Sequence, residues 1–147
     1  MSTIVTRAGK GSPLTHVEVD TNFTNLNTDK VGYIVGEGGT VAQSTSKSTA
    51  VTLNKKSGQI TMNGAALAAA TTVSFTLTNS TIAATDLLVL NHVSGGTAGS
   101  YLLNAQAAAG SASINVRNIT AGSLSEAIVI GFAVVKDRKS TRLNSSH

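Results

Sequence analysis

The segment Glu126–Val135, EAIVIGFAVV, decides the fold that the sequence predicts. Side chains of a β-strand alternate between two faces, so residues two apart share a face. One face carries larger apolar residues: Ile128, Ile130, Phe132 and Val134. The other face carries small or β-branched residues: Ala127, Val129, Gly131, Ala133 and Val135. A strand with two apolar faces is typical of a central position, so we predict that a sandwich core covers one face. A subunit neighbour or the N-terminal arm should cover the other.

Seven shorter runs precede this segment and are rich in β-branched residues, with turns of Gly, Ser, Asn and Ala between them. They are Thr40–Gln43, Ala50–Leu53, Gln59–Met62, Thr72–Thr78, Leu87–Val93, Ser100–Gln106 and Ala112–Arg117. Eight short strands in about a hundred residues are typical of a sandwich or barrel. We therefore predict an all-β fold, an antiparallel β-sandwich that is jelly-roll-like, over residues 40–136 and preceded by a short N-terminal α-helix.

Two stretches of this domain resemble each other: SFTLTNSTIAATDLLVL at 74–90 and SINVRNITAGSLSEAIVI at 113–130. Phe75 matches Ile114, Asn79 matches Asn118, and Asp86 matches Glu126 with one extra loop residue. Either a duplicated hairpin unit or similar turn chemistry would produce this pattern. The two asparagines are suited to begin turns, because an Asn side chain bonds to nearby backbone groups.

The segment Ser12–Lys30, SPLTHVEVDTNFTNLNTDK, has a helical period instead. Thr15 and Glu18 have the spacing of a capping box, in which each side chain bonds to the backbone N–H of the other residue. Leu14 before the cap and Val19 after it are placed to form a hydrophobic staple. We therefore predict a helix that begins after Thr15.

The apolar stripe of this helix consists of Val19, Phe23 and Leu26, with Lys30 next on the same seam. Eight of the ten residues from Asp20 to Asp29 are Asp, Thr or Asn, and each costs up to about 0.7 kcal/mol relative to Ala. Burial of the three apolar side chains returns about 1.5–3 kcal/mol each. The helix should therefore depend on packing for its stability, and we predict that it is an oligomerisation element.

The chain outside the helix and the sandwich divides into three stretches. Thr3–Arg7 is β-prone and should form an edge strand at most, while Ala8–Ser12 should be a flexible connector. Four glycines near 32–39 should end the helix and form a linker. We therefore assign residues 1–31 to an N-terminal arm and oligomerisation helix, 32–39 to a Gly-rich linker, 40–136 to the sandwich and 137–147 to a non-native tail.

The tail 137–147, DRKSTRLNSSH, resembles the in-frame translation of a common short-read sequencing adapter; the alternative is a genuine basic tail. It holds three basic residues and one acidic residue, so the formal charge of +4 for the chain corresponds to +2 for residues 1–136. This charge is not spread over a basic face, and no nucleic-acid partner is expected. No apolar run has the length of a signal peptide or membrane span, so we expect synthesis in a cytoplasm and no membrane partner.

The sequence also resembles parts of known phage proteins. The stretch GSPLTHVEVDTNFTNLNTDKV at 11–31 resembles a segment found near the start of many bacteriophage tail-fibre and related virion proteins. The block 39–136, with GTVAQSTSKSTAVTLNKKSGQITMNGAAL and EAIVIGFAVVK, resembles a β domain that recurs in phage structural proteins. The resemblance implies a virion structural protein made in the host cytoplasm, a tail-fibre or surface-fibre component for host attachment. It also implies a homotrimer whose arm docks on other virion proteins.

Two alternatives stay open beside a fibre. One is a capsid decoration or head-fibre protein, and the other is a receptor-binding fibre tip whose partner is a host cell-surface glycan. Glycan sites commonly use exposed aromatic rings, whereas this chain has no Trp and only Tyr33, Tyr101 and three Phe. The loops Asn63–Thr71 and Ser94–Gly99 are rich in Ala and Gly. A strong glycan site on one subunit is therefore not expected.

The residues that could carry chemistry are scattered. The chain has no cysteine, and the acids Asp86 and Glu126 each precede a strand, where we predict solvated turn residues. His16 and His92 have no second ligand at metal-binding spacing, although a trimer could bring three copies of either to its axis. No G-x-S-x-G elbow occurs. We therefore predict no enzyme activity, no catalytic residue, no cofactor and no metal.

Overall fold

The computed structural model describes residues 5–28 and 38–136, with side chains described as far as Thr24 in the first range. The chain forms two compact units, Met1–Glu37 and Gly38–His147. The boundary between them falls within the predicted linker 32–39, of which residues 32–37 lie outside the described residues. Lys30, the side chain of Leu26 and the tail 137–147 also lie outside them.

The first unit contains α1 (Arg7–Lys10) and α2 (His16–Thr28). The prediction of a flexible connector at Ala8–Ser12 is wrong for its first residues, because Thr6 caps a helical turn there. The Thr6 Oγ1 accepts a hydrogen bond from the Gly9 N–H at 3.1 Å, and Gly11 ends the turn in the left-handed region at φ +72°. Arg7 therefore belongs to a helix and not to an edge strand.

Helix α2 begins where the capping box places it. The Thr15 N–H donates to Glu18 Oε2 at 2.8 Å, and the Glu18 N–H donates to Thr15 Oγ1 at 3.2 Å. Lys10 Nζ also donates to Glu18 Oε2, at 2.6 Å. Together, first the Lys10 ammonium and then the Thr15 amide lower the pKa of Glu18 to about 2. The Asn22 side chain bonds to both backbone groups of Val5, at 2.7 and 2.8 Å, and so joins the arm to the helix.

The second unit is built of two four-stranded sheets. Sheet A has the strand order β1-β3-β8-β5, and sheet B has the order β2-β4-β7-β6. The strands are β1 (Thr40–Ala42), β2 (Val51–Thr52), β3 (Ser57–Thr61), β4 (Thr72–Thr78), β5 (Leu87–Ser94), β6 (Tyr101–Ala108), β7 (Ser111–Asn118) and β8 (Val129–Val135). Each lies within or close to one of the eight predicted runs. The prediction of an all-β fold with a small N-terminal helix is confirmed.

The sheets are mixed, whereas the sequence predicted purely antiparallel ones. β1 pairs parallel with β3, and β2 pairs parallel with β4. The reason is that β1, β2, β3 and β4 alternate between the sheets, so each returns to its own sheet by a crossover, and a parallel pair requires such a connection. All other strand pairs are antiparallel.

The core lies between the sheets and takes its side chains from their inner faces. As predicted, the larger side chains of the last strand and the residue before it are buried there, with exposed fractions of 0–4%. Sheet B contributes Phe75, Leu77, Ile114 and Val116. Full burial of such side chains stabilises the fold by about 1.5–3 kcal/mol each. The sandwich therefore has the apolar interior that its period-two pattern requires.

The two similar stretches form the same structural unit, a strand in sheet B followed by a strand in sheet A. The first copy contains β4 and β5, and the second contains β7 and β8. Phe75 pairs with its own match, Ile114, at the centre of β4 and β7. In sheet A, where the match is shifted by the extra loop residue, Asn91 pairs with Gly131. Each copy thus pairs with the other about an approximate two-fold axis, and the structure supports the duplicated-unit interpretation.

The turn chemistry is duplicated as well. Asn79 and Asn118 are fully buried. The Asn79 Oδ1 accepts from the N–H and hydroxyl of Thr81, at 2.9 and 2.7 Å, and Asn118 Oδ1 accepts from Thr120 at 2.9 and 2.8 Å. Asn118 Nδ2 also donates to three backbone carbonyl groups, of Leu67, Ala68 and Gly122. These N-x-T sequences therefore form similar turns. Similar turn chemistry, the other explanation of the sequence repeat, is thus present together with the duplicated unit.

Candidate functional site: the outer face of sheet A

The outer face of sheet A carries a patch of apolar side chains that the sandwich leaves uncovered. Four large ones on β5 and β8 are about half exposed: Leu87 at 63%, Val89 at 52%, Val135 at 47% and Val93 at 46%. Leu87 pairs directly with Val135, and Val89 pairs with Ala133, so these side chains are contiguous. The exposed Asn91 separates Val89 from Val93 along β5, and Val93 adjoins the others across Gly131. We use the name outer patch for the apolar residues on this face of β5 and β8, which are Leu87, Val89, Val93, Val129, Gly131, Ala133 and Val135. A contiguous apolar patch on a folded domain commonly marks an interface.

The absence of a side chain at Gly131 makes room on the outer face of β8 for a side chain of β5. A β-bulge between His92 and Ser94 shifts the register of β5, and Val93 then lies across Gly131. A Cβ atom added at Gly131 would be 2.8 Å from Val93 Cγ2. The glycine thus leaves the space over β8 that the Val93 side chain occupies.

The outer face of sheet B has the opposite character, although the same sandwich carries it. Its rows consist mainly of Thr, Ser, Asn and Gln, and one row also holds Arg117 and the half-exposed Leu102. Another row is joined across three strands by hydrogen bonds. Ser74 Oγ donates to Asn115 Oδ1 at 2.6 Å, and Asn115 Nδ2 donates to Asn104 Oδ1 at 2.6 Å. Strands β4 and β7 of sheet B therefore have the one wet face that their sequence predicted, and the apolar outer patch belongs to sheet A.

The helix stripe is exposed in part within its own unit. Phe23 is 70% exposed and Val19 is half-buried, whereas the Leu26 side chain and Lys30 lie outside the described residues. Sequence reasoning missed Val17, which is 73% exposed. Val17 lies two positions before Val19, which places it about 200° away around the helix. The available signal was its apolar side chain, which lies off the stripe.

Asp86 is not the solvated turn residue that the sequence predicted. It is only 8% exposed, and its Oδ2 accepts hydrogen bonds from Lys136 Nζ at 2.5 Å and from the Ala83 N–H at 2.7 Å. Lys136 Nζ also donates to the Thr81 carbonyl at 2.8 Å. The segment that follows β8 is thus held to the loop that precedes β5.

Glu126, the match of Asp86, is held in a corresponding way. Its Oε1 accepts from Thr97 Oγ1 at 2.6 Å, and its Oε2 accepts from the Thr97 N–H at 2.9 Å and from the Tyr101 hydroxyl at 2.7 Å. These bonds, those of Thr97 first, lower the pKa of Glu126. Burial, and then the bond to Glu126, raises the pKa of Tyr101. Asp86, before β5, thus bonds to Lys136 after β8, and Glu126, before β8, bonds to Thr97 after β5. Both carboxylates therefore have structural roles.

A buried lysine lies beside Glu126 and was missed by sequence reasoning. Lys47 is 4% exposed, and its Nζ donates to the Glu126 carbonyl at 2.5 Å and to the Asn63 carbonyl at 2.6 Å. Burial lowers the pKa of Lys47, although the nearby Glu126 charge opposes this. Its position in a Ser- and Thr-rich loop gave no signal of burial. Lys47 fastens the connection between β1 and β2 to the rest of the sandwich.

His92 lies at the side of the sandwich where β5 and β6 are the outermost strands. Its Nε2 is 3.1 Å from the Ser94 carbonyl and 2.6 Å from the Gly95 carbonyl, and because both are acceptors, Nε2 carries the proton. The ring meets Tyr101 edge-on, with centroids 5.8 Å apart. Both residues line an open cleft of about 410 Å³, with Leu90 and Leu103. Among the described residues, no three metal-ligating side chains come together.

Comparison with known proteins gave no relatives. No protein-family model, curated protein or solved structure matches this chain. The outer patch and the helix stripe therefore have to be interpreted from their own chemistry. Among the described helices, none is long and apolar enough to cross a membrane.

Proposed function

We propose that this protein is a structural component of a bacteriophage virion, a tail-fibre or surface-fibre protein that assembles as a homotrimer and displays its β-sandwich. The observation that carries the proposal is the outer patch, an exposed apolar surface that a structural assembly would cover. The resemblance of residues 11–31 and 39–136 to phage proteins supplies the virion location and the number of three. The N-terminal arm would dock on other virion proteins.

The size of the outer patch bears on how the copies would meet. Burial of four half-exposed aliphatic side chains contributes about 1 kcal/mol each. With the usual strand spacing and rise, the face of sheet A measures roughly 20 Å by 23 Å. That is smaller than the roughly 800 Å² per partner of a stable interface. The face alone would therefore hold copies weakly, and the helix stripe around Phe23 supplies the additional contact.

Two measurements test this proposal. Light scattering of the dilute full-length chain should give the mass of three chains, and a single-chain mass would contradict the trimer. Antibodies against the chain, with gold-labelled detection, should label particles of the phage that carries the gene. Label along the tail supports a fibre, and label on the head supports the capsid decoration or head-fibre alternative. Particles without label would rule out a virion component.

The cleft beside His92 and Tyr101 favours a second candidate function, a receptor-binding tip for a host cell-surface glycan. Tyr101 and His92 are among the residues that line it, and aromatic and polar side chains contact sugar rings and hydroxyls. Whole-cell binding that soluble host polysaccharide abolishes, and that His92→Ala weakens, would support this role. Absence of binding to any host surface would contradict it.

A further inference from the structure

The four edge strands of the sandwich differ in how they are protected. β1 and β2 have three and two residues, and edges this short offer few unpaired backbone groups. β5 and β6, at the opposite ends of the two sheets, have eight residues each. Neither contains Lys, Arg, Asp, Glu or Pro, the residues with which exposed edges are usually protected. The bulge in β5 lies between His92 and Ser94, near the end of the strand, and Leu87–His92 keeps a regular register. Two long, uncharged edges are therefore available for pairing, with β5 regular over its first six residues.

Both unprotected edges lie on the same side of the sandwich. Residues 95–100 connect β5 to β6, and the rings of His92 and Tyr101 meet between them. The cleft on this side is lined by inner-face residues of both strands, including Leu90 and Leu103. A single partner on this side would therefore reach both edges and cover the cleft.

The internal duplication shows that, among the described strands, the edge of β5 lacks a neighbour which the matching strand β8 has. β8 pairs with β5 on one side and with β3 on the other, where Ser57–Thr61 lies antiparallel to Val129–Ala133. The residues of β5 that match this part of β8 are Val89–Val93. Within the described residues, no strand pairs with the other side of β5. The first copy of the unit thus lacks the neighbour that the second copy has.

We infer that a second copy of this chain occupies this side, with β5 paired to β5 and β6 paired to β6 about one two-fold axis perpendicular to the sheets. One axis can serve both edges because they lie on the same side of the sandwich, and such isologous contacts are the commonest in homo-oligomers. Identical strands without charge meet without like-charge repulsion. A single extended peptide from another protein would satisfy only one edge. The inference rests on the proposed function only because both require copies of this chain to associate. The edge contact itself involves neither the helix stripe nor the outer patch.

A charge on the edge tests this contact. Gln106 on β6 and Thr76 on β4 lie in one row of sheet B, on either side of Ser113, and both are exposed. Sedimentation of the full-length protein should show, at high concentration, a species with twice the mass of the one present in dilute solution. Gln106→Lys should raise the dissociation constant of this pairing by about fivefold, while Thr76→Lys leaves it unchanged. Equal effects of the two variants, or no pairing in the unmodified chain, would overturn the inference.

Cysteine cross-linking tests the geometry independently of affinity. The chain has no cysteine, so single Leu102→Cys, Asn104→Cys and Gln106→Cys variants can form only an intermolecular disulfide between identical positions. One of the three should cross-link more than its neighbours, because one lies closest to the two-fold axis, and Thr76→Cys should not cross-link. Cross-linking should persist with the added substitution Phe23→Asp. A trimeric chain that shows no cross-link above the Thr76→Cys control would reject the edge pairing and leave the proposed function standing.

Discussion

The outer faces of sheets A and B belong to one sandwich and have opposite chemistry. On sheet B, the outward positions of β4 and β7 carry Thr, Ser, Asn and Arg, and Ser74 and Asn115 bond to each other across the two strands. On sheet A, the outward positions of β5 and β8 are mostly Leu, Val, Ala and Gly. Both faces are compatible with the same core, so the stability of the fold does not explain the difference. The contrast therefore identifies sheet A as the face on which a partner would bury more apolar surface.

The largest expected effect comes from a charge placed in the middle of the outer patch. Ala133→Asp on the interior strand β8 should convert trimers to single chains in dilute solution, because the carboxylate would lose its water at the interface. Ser113→Asp on the interior strand β7 is the matched change on sheet B and should leave the mass unchanged. Light scattering measures both. If Ala133→Asp stays trimeric, sheet A is not the contact.

A smaller effect is expected where Val93 lies across Gly131. Gly131→Val should destabilise the sandwich by about 1–2 kcal/mol, because the added side chain overpacks against Val93. Ala133→Val enlarges the same face of the same strand and serves as the control. Urea unfolding of both variants in parallel gives the difference. A Gly131→Val variant as stable as the control would show that the glycine is not needed for close approach.

The Glu126 bonds predict a dependence on pH. The pKa of Glu126 is lowered in the folded state, so its contribution is present above the unfolded pKa of about 4.5 and is lost as the pH falls through the lower folded value. The melting temperature should therefore fall less between about pH 5 and pH 3 in Glu126→Gln than in the unmodified chain. Thermal melts followed by circular dichroism provide the test. Parallel curves for the two proteins would contradict a stabilising role for the carboxylate.

The smallest expected effect is on sheet B. Asn115→Ala removes both hydrogen bonds of the row that joins Ser74 to Asn104, yet these side chains lie at the surface, where water replaces the lost partners. The loss should be below about 1 kcal/mol, with no change in assembly. Urea unfolding and light scattering together check this. A change in mass would mean that sheet B also contacts a partner, which would remove the contrast between the faces.

Much of the fold could be predicted because its signals are local. Alternation along Thr72–Thr78 and 112–117 and the two apolar faces of 126–135 identified strands, and the Thr15 and Glu18 spacing identified the helix start. The errors at Asp86 and Lys47 arose because their partners are distant in sequence. Asp86 was predicted to be solvated because nothing nearby in sequence shows that Lys136, fifty residues away, would bond to it. Lys47 was missed for the same reason, since its acceptors at Asn63 and Glu126 are brought to it only by folding.

The sequence by itself determined that this chain forms an all-β domain after a short helix, because period-two alternation and a capping box act within a few residues. It also determined that the last strand would be apolar on both sides. Only the tertiary structure decided which surfaces remain uncovered, because exposure depends on which strands become neighbours. It placed Leu87 beside Val135 to form the outer patch, and it paired Phe75 with Ile114 to turn a weak repeat into an approximate two-fold axis.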